Sequence, residues 1–146
     1  MNRTLINWIA ALALVGMALS TYSLAHKTGF TSGALCNLSD TFSCDIVNQG
    51  PYSELFGVPV AGIGLVGYGF ILTAALLKRR QPLDSGLSRF LMLASLGGLG
   101  FALYLTGLEA FVIRAWCIVC LLSQATIVAL AVLSVLIYRK ERITNV

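Results

Sequence analysis

Four cysteines are the side chains in this sequence best suited to chemistry. Cys36 and Cys44 form a C-x7-C pair, and Cys117 and Cys120 form a CxxC pair within the stretch AWCIVC. Thiol pairs of this kind act as reversible disulfides, as structural disulfides or as zinc ligands. Which of these uses applies depends on the secondary-structure elements that carry the two pairs.

The composition indicates a membrane protein. Of 146 residues, 58% are hydrophobic and 11% are charged, whereas soluble domains contain about 25% charged residues. Four apolar runs are long enough to cross a bilayer, which needs about 20 residues. They cover residues 5–25, 58–77, 90–112 and 116–138. The sequence predicts one all-α domain over residues 1–146, a polytopic bundle of four transmembrane helices with an outer loop over residues 26–57.

The first run could alternatively be a cleaved signal peptide, because Arg3 precedes it and small residues lie near Ala25. Its apolar stretch is long for such a segment, so we predict an uncleaved helix.

Basic residues predict the orientation of the bundle. With four spans, one side of the membrane carries Arg3, Lys78, Arg79, Arg80, Arg89, Arg139, Lys140 and Arg142, and the other carries Lys27 and Arg114. Cytoplasmic flanks are enriched in Lys and Arg, so both termini are predicted to be cytoplasmic. This enrichment also explains the net charge of +4 without nucleic-acid binding. The cysteines then lie on or near the outer side, which in a bacterium is the oxidising periplasm.

Zinc binding and inert disulfides are weaker interpretations of the cysteines. The only histidine, His26, lies at a predicted membrane boundary, so a tetrahedral site would need all four thiolates on an oxidising side. No metal site is therefore expected. A Cys36–Cys44 bridge could be structural, but a Cys117–Cys120 bridge closes too short a loop to stabilise the fold much. A small membrane scaffold with structural disulfides remains the non-enzymatic alternative.

Electron transfer explains the position of the CxxC pair better. Cys117 is predicted in the first turn of the fourth helix, where amide donors and the helix dipole favour a thiolate. Cys120 lies on the same face, one turn deeper. The deeper thiol can meet a lipid-soluble acceptor, which points to a quinone. Cys36 and Cys44 supply the second pair that thiol–disulfide exchange from outside requires.

Other residues near the outer side are candidates for contact with the quinone or for anchoring. Trp116 suits an interfacial or quinone-facing position. Glu109 and Arg114 are interpreted as interfacial anchors rather than as an ion pair. Several apolar side chains of the outer loop could cover the mouth of the bundle as a lid. They are Phe42, Tyr52, Leu55 and Phe56.

Three stretches together resemble the vitamin K epoxide reductase family, specifically its bacterial homologues. They are CNLSDTFSC, CDIVNQGPYSELFGVPVAGIG and LEAFVIRAWCIVC. The resemblance implies a four-helix bundle around a quinone, with a short amphipathic helix in the outer loop. It also implies a location in the bacterial inner membrane.

The resemblance further implies roles for the cysteines. Cys120 would reduce the quinone, Cys117 would exchange with Cys44, and Cys36 would engage a thioredoxin-like dithiol protein of the DsbA type. Reoxidation of that partner drives disulfide formation in exported proteins. Many bacterial members carry the partner fused at the C-terminus, and this chain ends at Val146, so a separate partner is expected.

Two positions depart from the family pattern. Gly50 stands where a serine or threonine is frequent, and Gln124 stands where mammalian enzymes have a tyrosine that contacts the quinone carbonyl. An amide can still donate a hydrogen bond. The predicted quinone contacts are therefore Cys120, Gln124, Trp116 and Phe56, with ubiquinone or menaquinone as the acceptor. Reduction of vitamin K epoxide or of quinone as the main physiological reaction is the enzymatic alternative.

Overall fold

The computed structural model describes residues 3–30, 54–114 and 116–144. Within these ranges the chain forms four long helices, a π-helical segment that continues the third of them, and a short antiparallel hairpin before the second. The helices are α1 (Arg3–Lys27), α2 (Val60–Arg80), α3 (Ser85–Leu108) and α4 (Ile118–Thr144). The π-helical segment is Glu109–Ile113, and the hairpin pairs β1 (Glu54–Leu55) with β2 (Val58–Pro59).

All four helices of the described ranges are long and apolar enough to cross a membrane. The predicted all-α fold with four membrane-spanning helices is therefore confirmed. Most of the predicted outer loop, including the amphipathic helix expected in it, lies outside the described residues.

The helix bounds differ from the apolar runs for local reasons. α2 begins at Val60 rather than at residue 58, because Val58 and Pro59 pair with β1. α3 begins at Ser85, five residues before its apolar run. The Asp84 carboxylate accepts a hydrogen bond from the Gly86 amide at 2.9 Å and so caps this helix. Hydropathy locates the membrane-spanning part of a helix, whereas capping sets its end.

The hydrophobic core occupies one half of the bundle. It joins the first turns of α1 and α3 to the later turns of α2 and α4, which places the N-terminal end of α1 beside the C-terminal end of α2. Its members include Ile6, Ile9, Ile71, Leu91, Leu130 and Ile137, all at most 5% exposed. α1 packs against α2 and α4, and α3 packs against α2 and α4.

A buried lysine closes the packed end of the bundle. Lys78 is 1% exposed, and its ammonium group lies 2.6 Å from Glu141 Oε1 of α4. It also donates to the Asp84 carbonyl oxygen at 2.7 Å. A buried charge is tolerated only when it is paired and hydrogen-bonded. This cluster therefore joins the last turns of α2 and α4 to the turn that precedes α3.

Tyr68 connects three helices through a close approach. Its ring lies so close to Gly16 of α1 that a side chain there would collide with it. Its hydroxyl lies 2.9 Å from both the carbonyl oxygen and the hydroxyl of Ser123 in α4. The absence of a Cβ at position 16 thus allows a residue of α2 to reach α4.

We expect Lys78→Met to lower the free energy of unfolding by about 2–3 kcal/mol, because it leaves the Glu141 carboxylate without its cation in a mostly buried position. Thermal unfolding in detergent measures the change. Arg79→Met is the matched control, because Arg79 is exposed on the same turn. The double variant Lys78→Met/Glu141→Leu should recover part of the loss. Equal stability of Lys78→Met and Arg79→Met would contradict a structural role for the ion pair.

We expect Gly16→Ala to destabilise the bundle by about 1–3 kcal/mol through overpacking against the Tyr68 ring. Gly97→Ala is the control, because a Cβ at that helical glycine meets no atom within 4 Å. Unfolding of both variants in the same detergent gives the comparison. A Gly16→Ala protein as stable as the Gly97→Ala protein would show that the ring moves aside at no cost.

Candidate active site

A cavity of about 390 Å³ occupies the half of the bundle opposite the packed core. All four helices line it, largely with apolar side chains. Examples are Leu19 of α1, Ile63 and Phe70 of α2, Phe101 of α3 and Ile127 of α4. Its volume falls within the roughly 300–1,000 Å³ of pockets that bind small organic ligands. The chain thus provides an apolar site for a small molecule between its helices.

The CxxC pair lies at the end of α4 that borders this cavity. The Cys117 carbonyl oxygen accepts the first helical hydrogen bond of α4, from the Leu121 amide at 2.9 Å, which makes Cys117 the N-cap residue. Its sulfur accepts a hydrogen bond from the Cys120 amide at 3.4 Å. The sulfur atom therefore takes the place of the usual hydroxyl or carboxylate cap.

The two thiols differ in their surroundings. Cys117 is fully buried and packs against Ile113, Ile118 and Val119, whereas Cys120 is among the residues that line the cavity. Both are thiols here, with no disulfide between them. The hydrogen bond from the Cys120 thiol lowers the pKa of Cys117, although burial acts in the opposite direction. The thiolate form is thus better stabilised at Cys117, which does not line the cavity. Cys120 is the thiol that lies beside the cavity.

Glu109, the first residue of the π-helical segment, contacts both cysteines. Its Oε2 atom accepts a hydrogen bond from the Cys117 amide at 3.3 Å, and its carboxyl group lies within hydrogen-bonding reach of the Cys120 thiol. Only 4% of Glu109 is exposed, and it lines the cavity. The interpretation of Glu109 as an interfacial anchor was therefore wrong. Arg114, which was interpreted in the same way, is exposed.

The sequence contained a signal that would have identified Glu109. An acidic residue within an apolar run long enough to span a membrane is costly, and such residues are typically functional. The π-helical segment that begins at Glu109 is a further indication, because such segments occur frequently at functional sites. The backbone of Arg114 has φ 57° and ends this segment.

Polar side chains from three helices form one wall of the cavity. Gln124, predicted to contact a quinone, lines the cavity, and its carbonyl oxygen accepts a hydrogen bond from the Thr106 hydroxyl. This bond leaves the amide NH2 group of Gln124 as the donor. Tyr68 and Ser123 lie in the same wall and were not singled out from the sequence, because an aromatic or serine residue in a membrane helix has many other uses.

The other predicted site residues lie elsewhere. Phe56 is 98% exposed at the turn between β1 and β2, and Trp116 is half-buried before α4. Neither is among the described residues that line the cavity, so their contact with a quinone stays a prediction. Cys36 and Cys44 lie outside the described residues.

The chain is similar to one known protein family over most of its length. The Vitamin K epoxide reductase family matches residues 7–135. The matched region begins within α1, ends within α4 and includes all four cysteines. It covers far more than half of the chain. The chain therefore belongs to the vitamin K epoxide reductase family, and it is a membrane oxidoreductase.

Proposed function

We propose that this protein is a quinone-dependent thiol oxidoreductase that reoxidises a thioredoxin-like dithiol and thereby drives disulfide formation in exported proteins. Electrons pass from that partner to Cys36 and Cys44, then to Cys117 and Cys120, and finally to ubiquinone or menaquinone. The observation that carries the proposal is the division of the CxxC pair, in which Cys120 lines an apolar cavity and Cys117 is buried beside it at the start of α4.

The chemistry of the cavity fits a quinone. A quinone ring needs apolar surroundings, and its two carbonyl oxygens accept hydrogen bonds. The cavity lining is mostly apolar, and the amide NH2 group of Gln124 is a donor in its polar wall. Few well-placed polar groups in an apolar pocket are what orient a small ligand. These groups support a ring held beside the Cys120 sulfur.

The surroundings of Cys117 suit exchange with the outer loop. In the proposed cycle, the Cys44 thiolate attacks the Cys117 sulfur of a Cys117–Cys120 disulfide, and Cys120 leaves. Cys36 then attacks the Cys44 sulfur, which releases Cys117. Exchange is faster when the leaving thiol has a low pKa, and the hydrogen bond from Cys120 lowers the pKa of Cys117. The second exchange is thus favoured, and it leaves both CxxC thiols reduced for the quinone.

The proposal includes a multi-pass location in the bacterial inner membrane with both termini in the cytoplasm. Basic residues supporting this orientation lie at the packed end of the bundle, in the first turn of α1 and in the last turns of α2 and α4. The cavity and the CxxC pair lie at the opposite end. By the enrichment of basic residues on the cytoplasmic side, the cysteines face the periplasm.

Replacing Cys120 by alanine should abolish quinone reduction by the purified protein and accumulate a Cys44–Cys117 disulfide in oxidising cells, because the sulfur that faces the acceptor is gone. Quinone absorbance and mass spectrometry of non-reduced peptides measure the two effects. Leu122→Ala, at an exposed position two residues later on α4, should retain activity. Undiminished quinone reduction in Cys120→Ala, with no bridge between the loop and α4, would refute the electron path.

Filling the cavity with Ala102→Phe should raise the quinone KM at least about tenfold, which corresponds to 1.4 kcal/mol of lost binding. Ala102 lines the cavity, whereas Leu103→Phe adds a ring at a neighbouring exposed position and is the control. Reduction of Cys36 and Cys44 by a thioredoxin-like dithiol should be equal in both variants. An unchanged KM in Ala102→Phe would place the acceptor elsewhere.

A further inference from the structure

Glu109 is a buried carboxyl group with an unusual set of contacts. It is 4% exposed, and one of its oxygens holds the Cys117 amide at 3.3 Å. Among the described residues, the ion pairs are Lys27–Glu54 and Lys78–Glu141, and neither involves Glu109. Burying a carboxylate without a cation is costly. A neutral side chain could accept the hydrogen bond from this one amide. The presence of a carboxyl group at this position therefore needs a further explanation.

The contact with Cys120 supplies that reason. The Glu109 carboxyl group is within hydrogen-bonding reach of the Cys120 thiol, and both side chains line the cavity. A thiol must lose its proton before its sulfur can act as a nucleophile or electron donor. Cys120 lies inside the bundle, where little water is available to accept the proton. The Cys117 sulfur accepts a hydrogen bond from the Cys120 thiol but does not line the cavity, whereas the adjacent Glu109 carboxylate lines it and can take the proton towards a bound ligand.

We propose that Glu109 is a catalytic residue that accepts the proton of the Cys120 thiol and delivers it to the quinone oxygen beside the cavity wall. This inference rests on the proposed function. Oxidation of Cys117 and Cys120 to a disulfide releases two electrons and two protons. Cys120 passes the electron pair to the quinone, and Cys117 closes the S–S bond. Glu109 transfers the proton of Cys120 to one quinone oxygen. The proton of Cys117 is released to water, and the second quinone oxygen takes a proton from water.

Few other described groups could exchange this proton. The remaining titratable side chains that line the same cavity are Lys27 of α1 and Tyr68 of α2. Lys27 pairs with Glu54 at 3.4 Å, and the Tyr68 hydroxyl is bound to Ser123. Arg114, at the end of the π-helical segment, is exposed. Glu109 is the described carboxyl group that contacts both cysteines.

Glu109→Gln separates proton transfer from positioning. The amide oxygen of glutamine can still hold the Cys117 amide, but the side chain cannot take a proton. We expect quinone reduction at pH 7 to fall about 100-fold, at the lower end of the usual effect of a general acid–base group. The rate of the variant should rise about tenfold per pH unit, because deprotonation by solvent replaces the lost base, whereas the wild-type rate changes little near neutral pH.

Asp84→Asn is the matched control, with the same chemical change at the exposed N-cap residue of α3, which does not line the cavity. It should keep the wild-type rate and pH profile. A Glu109→Gln protein with wild-type kinetics overturns the proposal. A loss of the same factor at every pH also overturns it, because such a loss would reflect positioning alone.

A second measurement does not depend on the acceptor. In full-length protein with Cys36, Cys44 and Cys117 replaced by serine, iodoacetamide should alkylate Cys120 at pH 7 about tenfold more slowly after Glu109→Gln. An unchanged alkylation rate contradicts proton transfer to Glu109. If alkylation slows but the wild-type protein reduces no quinone, the proposed function fails and the Glu109–Cys120 proton transfer stands.

Discussion

The site depends on a sulfur atom that caps a helix. Cys117 starts α4, and its thiol takes the Cys120 amide as a capping hydroxyl would. Capping satisfies an amide donor that would otherwise be unpaired, and the helix dipole favours negative charge at the same point. One geometry therefore begins the helix, stabilises a thiolate and turns Cys120 towards the interior. Helix formation and the ordering of the two thiols are the same event.

The two halves of the bundle have different roles. One half is filled by aliphatic side chains and closed by the Lys78–Glu141 pair, so it supplies the stability. The other half keeps a cavity of about 390 Å³, which leaves its lining without the contacts that a packed core would provide. Tyr68 belongs to both halves, because its ring packs in the core and its hydroxyl reaches Ser123. A bundle that keeps a cavity in one half depends on close packing in the other half for its stability.

Hydropathy was sufficient to predict the four spans and the position of the CxxC pair at the start of the fourth. These features depend on local sequence, since burial in a bilayer acts within single segments. Cys117 was predicted in the first turn of that helix, and it is instead the N-cap residue directly before α4. The contact of Glu109 with the cysteines was missed because it joins residues of two helices across a π-helical segment. The exposure of Phe56 was also missed. It follows from a two-residue turn in which Phe56 and Gly57 both adopt positive φ, a geometry that usually selects glycine or asparagine.

The π-helical segment at the end of α3 has a consequence for how sequences of this type can vary in length. A π-helical turn contains one residue more than the α-helical turn that it replaces, so it is equivalent to a single-residue insertion. Deleting one residue between 110 and 113 would restore a regular α-helical turn and shorten the connection from Glu109 to Cys117 by one residue. The hydrogen bond from the Cys117 amide to the Glu109 carboxylate spans this connection, so its geometry would change. The length of the segment is therefore part of what holds an acid against the CxxC pair.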